Sequence, residues 1–255
     1  MPSVYAHHQF GARALPVLPR EVRDLLQRHR MLFDLGLQGP DFFFYYRLGR
    51  QSPVRALAHE YHSRAGKEVF SRICRELERP TEPELAYIYG LLGHYCLDAQ
   101  CHPIVHRVTG EDGLAHNALE SEFERFLMER DGVNKPWQRN RGRYLRCRGQ
   151  ASAVIARIYP EARPNQVRES LHTMEAVLGL LTIHAGAKKV LQFMGGANPG
   201  LLMHRCPDPA FAAYNAAMLE GYDLALAAYP ELVRQLRGHI ILGQPLGEDF
   251  DPIFG

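Results

Sequence analysis

The stretch His94-Tyr-Cys-Leu-Asp98-Ala-Gln-Cys-His102 decides how this chain is expected to fold. It ends a segment, residues 83–102, that is rich in Leu, Tyr and Ile and apolar on most sides, which predicts a buried helix. An α-helix places positions i and i+4 on one face, so His94, Asp98 and His102 share a stripe. A carboxylate in an apolar helix costs free energy unless it is compensated. The stripe therefore predicts a metal site, with a buried Asp–His hydrogen bond as the alternative.

A second stripe follows in His116-Asn-Ala-Leu-Glu120, which has the same four-residue spacing. Imidazole and carboxylate groups together suit zinc, whose borderline character accepts both. Five such groups between residues 94 and 120 predict a site for more than one zinc ion.

Helical periodicity runs through almost the whole chain and predicts an all-α fold. We expect a single multi-helix domain over residues 1–255, with a metal cluster between helices, a ligand-bearing half at about 1–130 and a helical half at about 150–242. The predicted helices begin after Pro19 and continue at 54–79, 83–102, 113–130, 164–193, 209–228 and 230–239.

The predicted breaks follow proline, glycine and aromatic signals. Pro103 is expected to end or kink the helix after His102, because proline lacks a backbone donor. Asp41–Tyr46 is read as a buried loop or helix start, since no partner strand lies near this aromatic run. Residues 195–200 break the later helix, and the tail 243–255 is predicted to be irregular.

Charge and cysteine content restrict the function classes. The formal net charge of +2 gives no electrostatic case for nucleic acid as a partner. The five cysteines form no C-x-x-C pair, which argues against a disulfide framework. The first residues lack a cationic and an apolar signal region, and no apolar run is long enough to span a membrane, so we expect a cytoplasmic protein.

Two charged regions are predicted to face solvent. Glu122 and Glu124 are placed on the outer part of the 113–130 helix. Residues 131–149 carry five arginines and read as a solvated surface connection, with transient contact to an anionic partner such as a membrane surface as the alternative. These five are Arg139, Arg141, Arg143, Arg146 and Arg148.

The segment His59-Glu60-Tyr61-His62 does not indicate a zinc protease. Its pattern is H-E-x-H, whereas the protease motif is H-E-x-x-H on a helix, so the glutamate is misplaced for that mechanism.

In order and spacing, the ligand-type residues resemble the zinc-dependent phospholipase C family, whose members share an all-helical fold with single-strand-specific zinc nucleases. The motifs that carry the resemblance are Ala6-His7, Gly39-Pro40-Asp41, a histidine at 59 or 62, Gly93-His94-x-x-x-Asp98, His102 and His116-x-x-x-Glu120. The resemblance covers roughly residues 1–130.

The resemblance implies a cluster of two to three Zn²⁺ ions. It assigns one ion to Asp41, His62 (or His59), His94 and Asp98; a second to His102, His116 and Glu120; and a third to His7, with Asp98 as a bridge. Secreted members complete the third site with an N-terminal tryptophan, whereas the only tryptophan here is Trp137. Phe42 stands where secreted members carry an aromatic residue that contacts the head group, so it is the expected substrate-binding residue.

The resemblance and the charge balance together predict a metal-dependent phosphoric diester hydrolase. A metal-bound hydroxide would attack phosphorus in line, with Asp41 as the catalytic residue that orients or deprotonates the water. The expected partner is a phospholipid or another phosphodiester. The alternatives are a nuclease or phosphatase on the same metal core, and a non-catalytic metal-stabilised helical protein.

Overall fold

Ten α-helices make up most of the residues that the computed structural model describes, namely 4–110, 112–182 and 199–255. They are α1 (Val4–Ala14), α2 (Arg20–Arg28), α3 (Arg30–Gly36), α4 (Pro53–His62), α5 (Gly66–Leu77), α6 (Glu82–Thr109), α7 (Gly113–Arg130), α8 (Ala151–Ile158), α9 (Pro164–Leu180) and α10 (Asn215–Leu242). Over these ranges there is no strand beyond one isolated bridge, and the all-α prediction is confirmed. No helix in this described part is long and apolar enough to cross a membrane.

Helix α6 lies at the centre of the fold and packs against α1, α3, α7 and α10. It begins with a capping box, in which the side chain of Glu84 accepts hydrogen bonds from the backbone and hydroxyl of Thr81. The prediction that Pro103 ends or kinks the helix is wrong as to the end, since α6 continues to Thr109. Pro103 is exposed, so the loss of one backbone hydrogen bond leaves the buried face of α6 intact.

In place of the predicted 54–79 helix the structure has two helices, α4 and α5, which are separated by a non-helical stretch between His62 and Gly66. The tail of the chain pairs with the backbone at this break. Gly66 N donates to Pro252 O at 2.9 Å, and Phe254 N donates to Arg64 O at 3.1 Å. These hydrogen bonds replace those that a continuous helix would make, and they come from residues far away in the sequence.

The later helices also differ from the predictions. The two predicted helices at 209–228 and 230–239 form one helix, α10, which runs through Pro230. Helix α9 ends at Leu180, and residues 183–198 lie outside the described residues, as does most of the predicted break at 195–200. The tail is irregular as predicted, apart from a 3₁₀ turn at Glu248–Phe250.

Two predictions of exposed charge are wrong. Glu122 and Glu124 are 3% and 0% exposed, so the faces of α7 that carry these two residues are buried. Arg141 is 3% exposed, whereas Arg143 and Arg146 face solvent as predicted. Charged residues are almost never buried unless they are paired, and the partners of these three are described below.

The buried apolar side chains form one core cluster that extends from Val4 to Phe254. The tail joins this core through two aromatic rings. Phe250 stacks on Tyr95 with ring centroids 6.0 Å apart, and Phe254 packs against Phe70 at 5.7 Å. Both phenylalanines are 0% exposed, so the tail is held against α5 and α6 by burial.

Close contact between α3 and α6 depends on two glycines. A Cβ on Gly90 would lie 2.3 Å from Phe33 O and 2.8 Å from the Cα of Gly36. Because backbone atoms occupy this space, a Cβ there forces the two helices apart.

We expect Gly90→Ala to lower the free energy of unfolding by about 1–3 kcal/mol, the usual cost of overpacking. Urea unfolding followed by circular dichroism measures the change. Gly179→Ala is the control, since its Cβ would lie 3.5 Å from its nearest neighbour, Asn140 Nδ2, and a helical alanine gains up to ~1 kcal/mol over glycine. Equal midpoints for the two variants would contradict the packing argument.

Candidate metal centre

The eight residues that the sequence nominated as metal ligands converge between α1, α4, α6, α7 and the 3₁₀ turn Asp41–Tyr45. They are His7, Asp41, His62, His94, Asp98, His102, His116 and Glu120. Seven of them are buried, and the side chain of His116 is 16% exposed. The cluster therefore contains five imidazoles and three carboxylates in a largely water-excluded site.

Asp98 lies at the centre of the cluster. Its Oδ1 is 3.2 Å from His7 Nε2, and its Oδ2 is 3.2 Å from His94 Nε2. The same Oδ2 lies 3.7 Å from His102 Nδ1 and 3.8 Å from His62 Nε2. One carboxylate thus faces imidazoles from α1, α4 and α6.

Backbone carbonyls orient two of the imidazoles toward the carboxylates. His62 Nδ1 donates to Ala58 O at 2.6 Å, and His94 Nδ1 donates to Leu37 O at 3.3 Å. In the neutral form that metal binding requires, Nε2 of each ring carries the lone pair, because a neutral imidazole has only one N–H. His62 Nε2 lies 3.1 Å from Asp41 Oδ1. This arrangement of a ligand-type histidine held by a carbonyl is typical of metal sites.

A second group of ligand-type residues lies around His102, at the C-terminal end of the stripe that His94, Asp98 and His102 form on α6. Glu120 Oε1 is 3.0 Å from His116 Nε2 and 3.4 Å from His102 Nε2.

Sequence reasoning missed His106, whose ring centroid lies 5.7 Å from those of both His102 and His116. The sequence did indicate this position, because His106 continues the four-residue spacing of His94, Asp98 and His102 along α6.

Electrostatics favour ionised carboxylates in the cluster. Burial by itself raises the pKa of Asp98, but the neighbouring His94, His102 and His7 hold it well below its usual value. Burial acts in the same way on Glu120, yet His116 and His102 lower the pKa of Glu120 to about 2. Burial lowers the pKa of His94 to about 4, so that imidazole is neutral at pH 7. Metal binding requires these protonation states.

The buried polar atoms of the cluster fit a metal better than they fit each other. In the described part of the chain, His94 Nε2, Asp98 Oδ2 and His102 Nδ1 are buried without a hydrogen bond of normal geometry, although such atoms are usually satisfied. The ligand atoms form three groups, each with all atoms within 4.8 Å of one another. The groups are His7, His94 and Asp98; Asp41, His62 and His94; and His102, His116 and Glu120.

The choice left open between His59 and His62 has a geometric answer. His62 points into the cluster, whereas His59 is exposed and its ring packs edge-on against Phe44 with centroids 4.8 Å apart. The two positions lie three residues apart on α4, and only the packing of that helix against the 3₁₀ turn determines which one faces inward.

Phe42 does not occupy the position expected of a substrate-binding residue. It is 0% exposed, and its ring packs against Phe43 and Tyr159 with centroids 4.3 and 6.0 Å away. An enclosed ring presents no face to a substrate, so we assign Phe42 to the core. Phe44, which sequence reasoning passed over, is half-buried and lies 5.9 Å from the ring of His62.

The tail of the chain reaches the cluster. Gly255 N donates to His62 O at 3.1 Å, and a Cβ on Gly255 would lie 2.1 Å from His102 Nδ1. The backbone at position 255 can approach this imidazole so closely only because glycine has no side chain. The prediction of an irregular tail contained no indication of this contact.

A family model described as zinc dependent phospholipase C matches residues 6–161. The match covers more than half of the chain and includes all eight residues of the cluster. It confirms the resemblance inferred from the motifs. No curated protein and no solved structure matches the chain.

We expect Gly255→Ala to lower the zinc content of the purified protein by about one ion per chain, because the added Cβ must displace His102. Elemental analysis after purification without chelator measures the change. Ile253→Ala is the matched control on the same segment, since the side chain of Ile253 is 52% exposed. Wild-type zinc content in Gly255→Ala would show that the tail does not constrain His102.

Proposed function

Because the chain belongs to the zinc-dependent phospholipase C family, we propose that it is a zinc-dependent hydrolase that cleaves the phosphodiester bond of a phospholipid or a related diester. The observation that carries the proposal is the buried carboxylate of Asp98 within 3.8 Å of four imidazoles. A charge so buried is costly unless a cation compensates it.

The proposed ligand sets follow the three geometric groups. Asp41, His62 and His94 hold one ion together with Asp98; His102, His116 and Glu120 hold a second; His7 holds a third, for which Asp98 is shared. We expect two to three Zn²⁺ ions per chain. Bound zinc supplies a Lewis acid that neutralises phosphoryl oxygens and brings the pKa of coordinated water toward ~7.

Asp41 is the proposed catalytic residue. Burial raises its pKa, but nearby positive charges, the hydrogen bond with His62 and the neighbouring His94 together lower it below its usual value, so the carboxylate is ionised at neutral pH. An ionised carboxylate in the ligand set can orient a water molecule and accept its proton. The water oxygen then bonds to phosphorus while the bond from phosphorus to the leaving alkoxide breaks.

Three exposed arginines lie in the segment that connects α7 to α8. Arg143 lies within the 3₁₀ turn Arg141–Leu145, which packs against α1, and Arg146 and Arg148 follow this turn; all three face solvent. We propose that they make transient contact with an anionic membrane surface, where each exposed cation contributes ~1 kcal/mol. Arg141 is excluded from this role because it is buried.

Replacing Asp98 tests the proposal directly. Asp98→Asn keeps the size of the side chain but removes the charge that faces four imidazoles, so we expect zinc content to fall. Turnover of phospholipid vesicles should drop by more than ~100-fold, since even residues that only orient a ligand are worth 10- to 100-fold. Elemental analysis and phosphate-ester release measure the two effects. Unchanged turnover at full zinc content would refute the proposal, and faster turnover of single-stranded DNA than of phospholipid would indicate a nuclease instead.

The pair His62→Ala and His59→Ala separates a ligand from its neighbour on the same helix. We expect His62→Ala to lose zinc and activity, because His62 Nε2 lies 3.1 Å from Asp41. His59→Ala should keep both, since His59 is exposed and lies outside the three groups. The reverse result, with His59→Ala the inactive variant, would overturn the assignment of the first ligand set.

A further inference from the structure

Helix α1 begins against a buried carboxylate that lies outside the metal-ligand sets. Glu124 Oε1 accepts hydrogen bonds from Tyr5 N at 2.5 Å and from Ala6 N at 3.4 Å. The next residue along α1 is His7, and Glu124 is 0% exposed. The first backbone N–H groups of a helix have no partner within the helix, and a carboxylate at this end is favoured by the helix dipole. Glu124 therefore fixes the end of α1 that carries His7.

Arg141 compensates the charge of this carboxylate. Its Nη1 donates to Glu124 Oε2 at 2.6 Å, and its Nη2 donates to Leu201 O at 3.4 Å. Both side chains of the pair are almost completely buried. A buried carboxylate is retained in its charged form only when it is paired and hydrogen-bonded. We refer to Glu124 and Arg141 together as the α1 latch.

The α1 latch joins two parts of the candidate metal centre. On α7, His116, Glu120 and Glu124 follow one another at intervals of four residues, so they share one face of the helix. The first two belong to the second ligand group, and the third holds α1. The position of His7 relative to Asp98, 3.2 Å away, thus depends on a contact made one turn beyond Glu120.

We propose that Glu124 and Arg141 are positioning residues for His7, and that the α1 latch is required for the metal ion that His7 holds but not for the ion held by His102, His116 and Glu120. This inference rests on the proposed function, because it assumes that the cluster binds zinc.

The test replaces both charges of the latch. In Glu124→Met/Arg141→Met the pair is exchanged for apolar side chains of similar size, a change that is often tolerated in buried ion pairs. It removes the acceptor for Tyr5 N and Ala6 N. We expect this variant to fold by circular dichroism and to lose about one zinc ion per chain in elemental analysis. His7→Ala is expected to lose the same ion, and combining the three substitutions should cause no further loss.

A matched control lies on the same helix. Arg125 donates to Glu122 through Nε at 2.8 Å and Nη2 at 2.5 Å, and Glu122 accepts from Asn215 Nδ2 at 3.0 Å. This second buried pair holds the start of α10 rather than α1. We expect Glu122→Met/Arg125→Met to keep its full zinc content. Equal zinc loss in the two double variants, or full zinc in Glu124→Met/Arg141→Met, would overturn the proposal.

Two further measurements keep the outcomes distinct. A wild-type protein without zinc would refute the proposed function itself, whereas a zinc-loaded wild type whose His7→Ala variant keeps every ion would refute only the role of His7 and its latch.

If Glu124→Met/Arg141→Met does not fold, Arg141→Lys provides the test, because lysine keeps the positive charge but lacks the two-pronged guanidinium that donates to Glu124 and Leu201. We expect one ion to leave this variant faster than wild type when EDTA is added, and an unchanged release rate would overturn the proposal.

Discussion

The carboxylate of Asp98 is the group on which the rest of the structure depends. It lies on the central helix α6, directly after the buried run from Ala86 to Leu97. Such a charge needs compensation from every direction in which it faces the interior. Histidines on α1, α4 and α6 provide it, with α1 packed directly against α6 and α4 packed against the 3₁₀ turn that carries Asp41.

Contacts between distant parts of the chain hold these helices in register. Gly36 and Gly90 allow α3 to lie directly against α6, and α3 leads into the turn that carries Asp41. At the other end, Phe250 and Phe254 fix the tail in the core, so that Gly255 reaches His102. The metal centre is therefore held by the contact between α3 and α6 and by residues 250–255. Its geometry depends on how these separate segments pack.

The errors of sequence reasoning have a common physical origin. Pro103 was predicted to end or kink its helix, and Pro230 to begin a new helix after a break, yet both lie within helices whose packing outweighs one missing backbone hydrogen bond. Glu124 and Arg141 each read as a solvated charge. The structure buries them as a pair. Glu124 continues the four-residue spacing of His116 and Glu120, but no local pattern reveals that its partner lies 17 positions away. Phe42 was nominated by its place next to Asp41, whereas its ring turns into the core.

The sequence by itself determined the all-α class and brought His94, Asp98 and His102 onto one stripe and His116 and Glu120 onto another, because helical spacing is a local property of the chain. It also contained the ordered motifs from which the family was inferred, and the match to the family model confirms that family. Only the tertiary structure decided which of His59 and His62 faces Asp41, that α1 starts on Glu124, and that Gly255 lies against His102. Each of these depends on how separate segments pack, and packing energy is shared among residues that no local pattern connects.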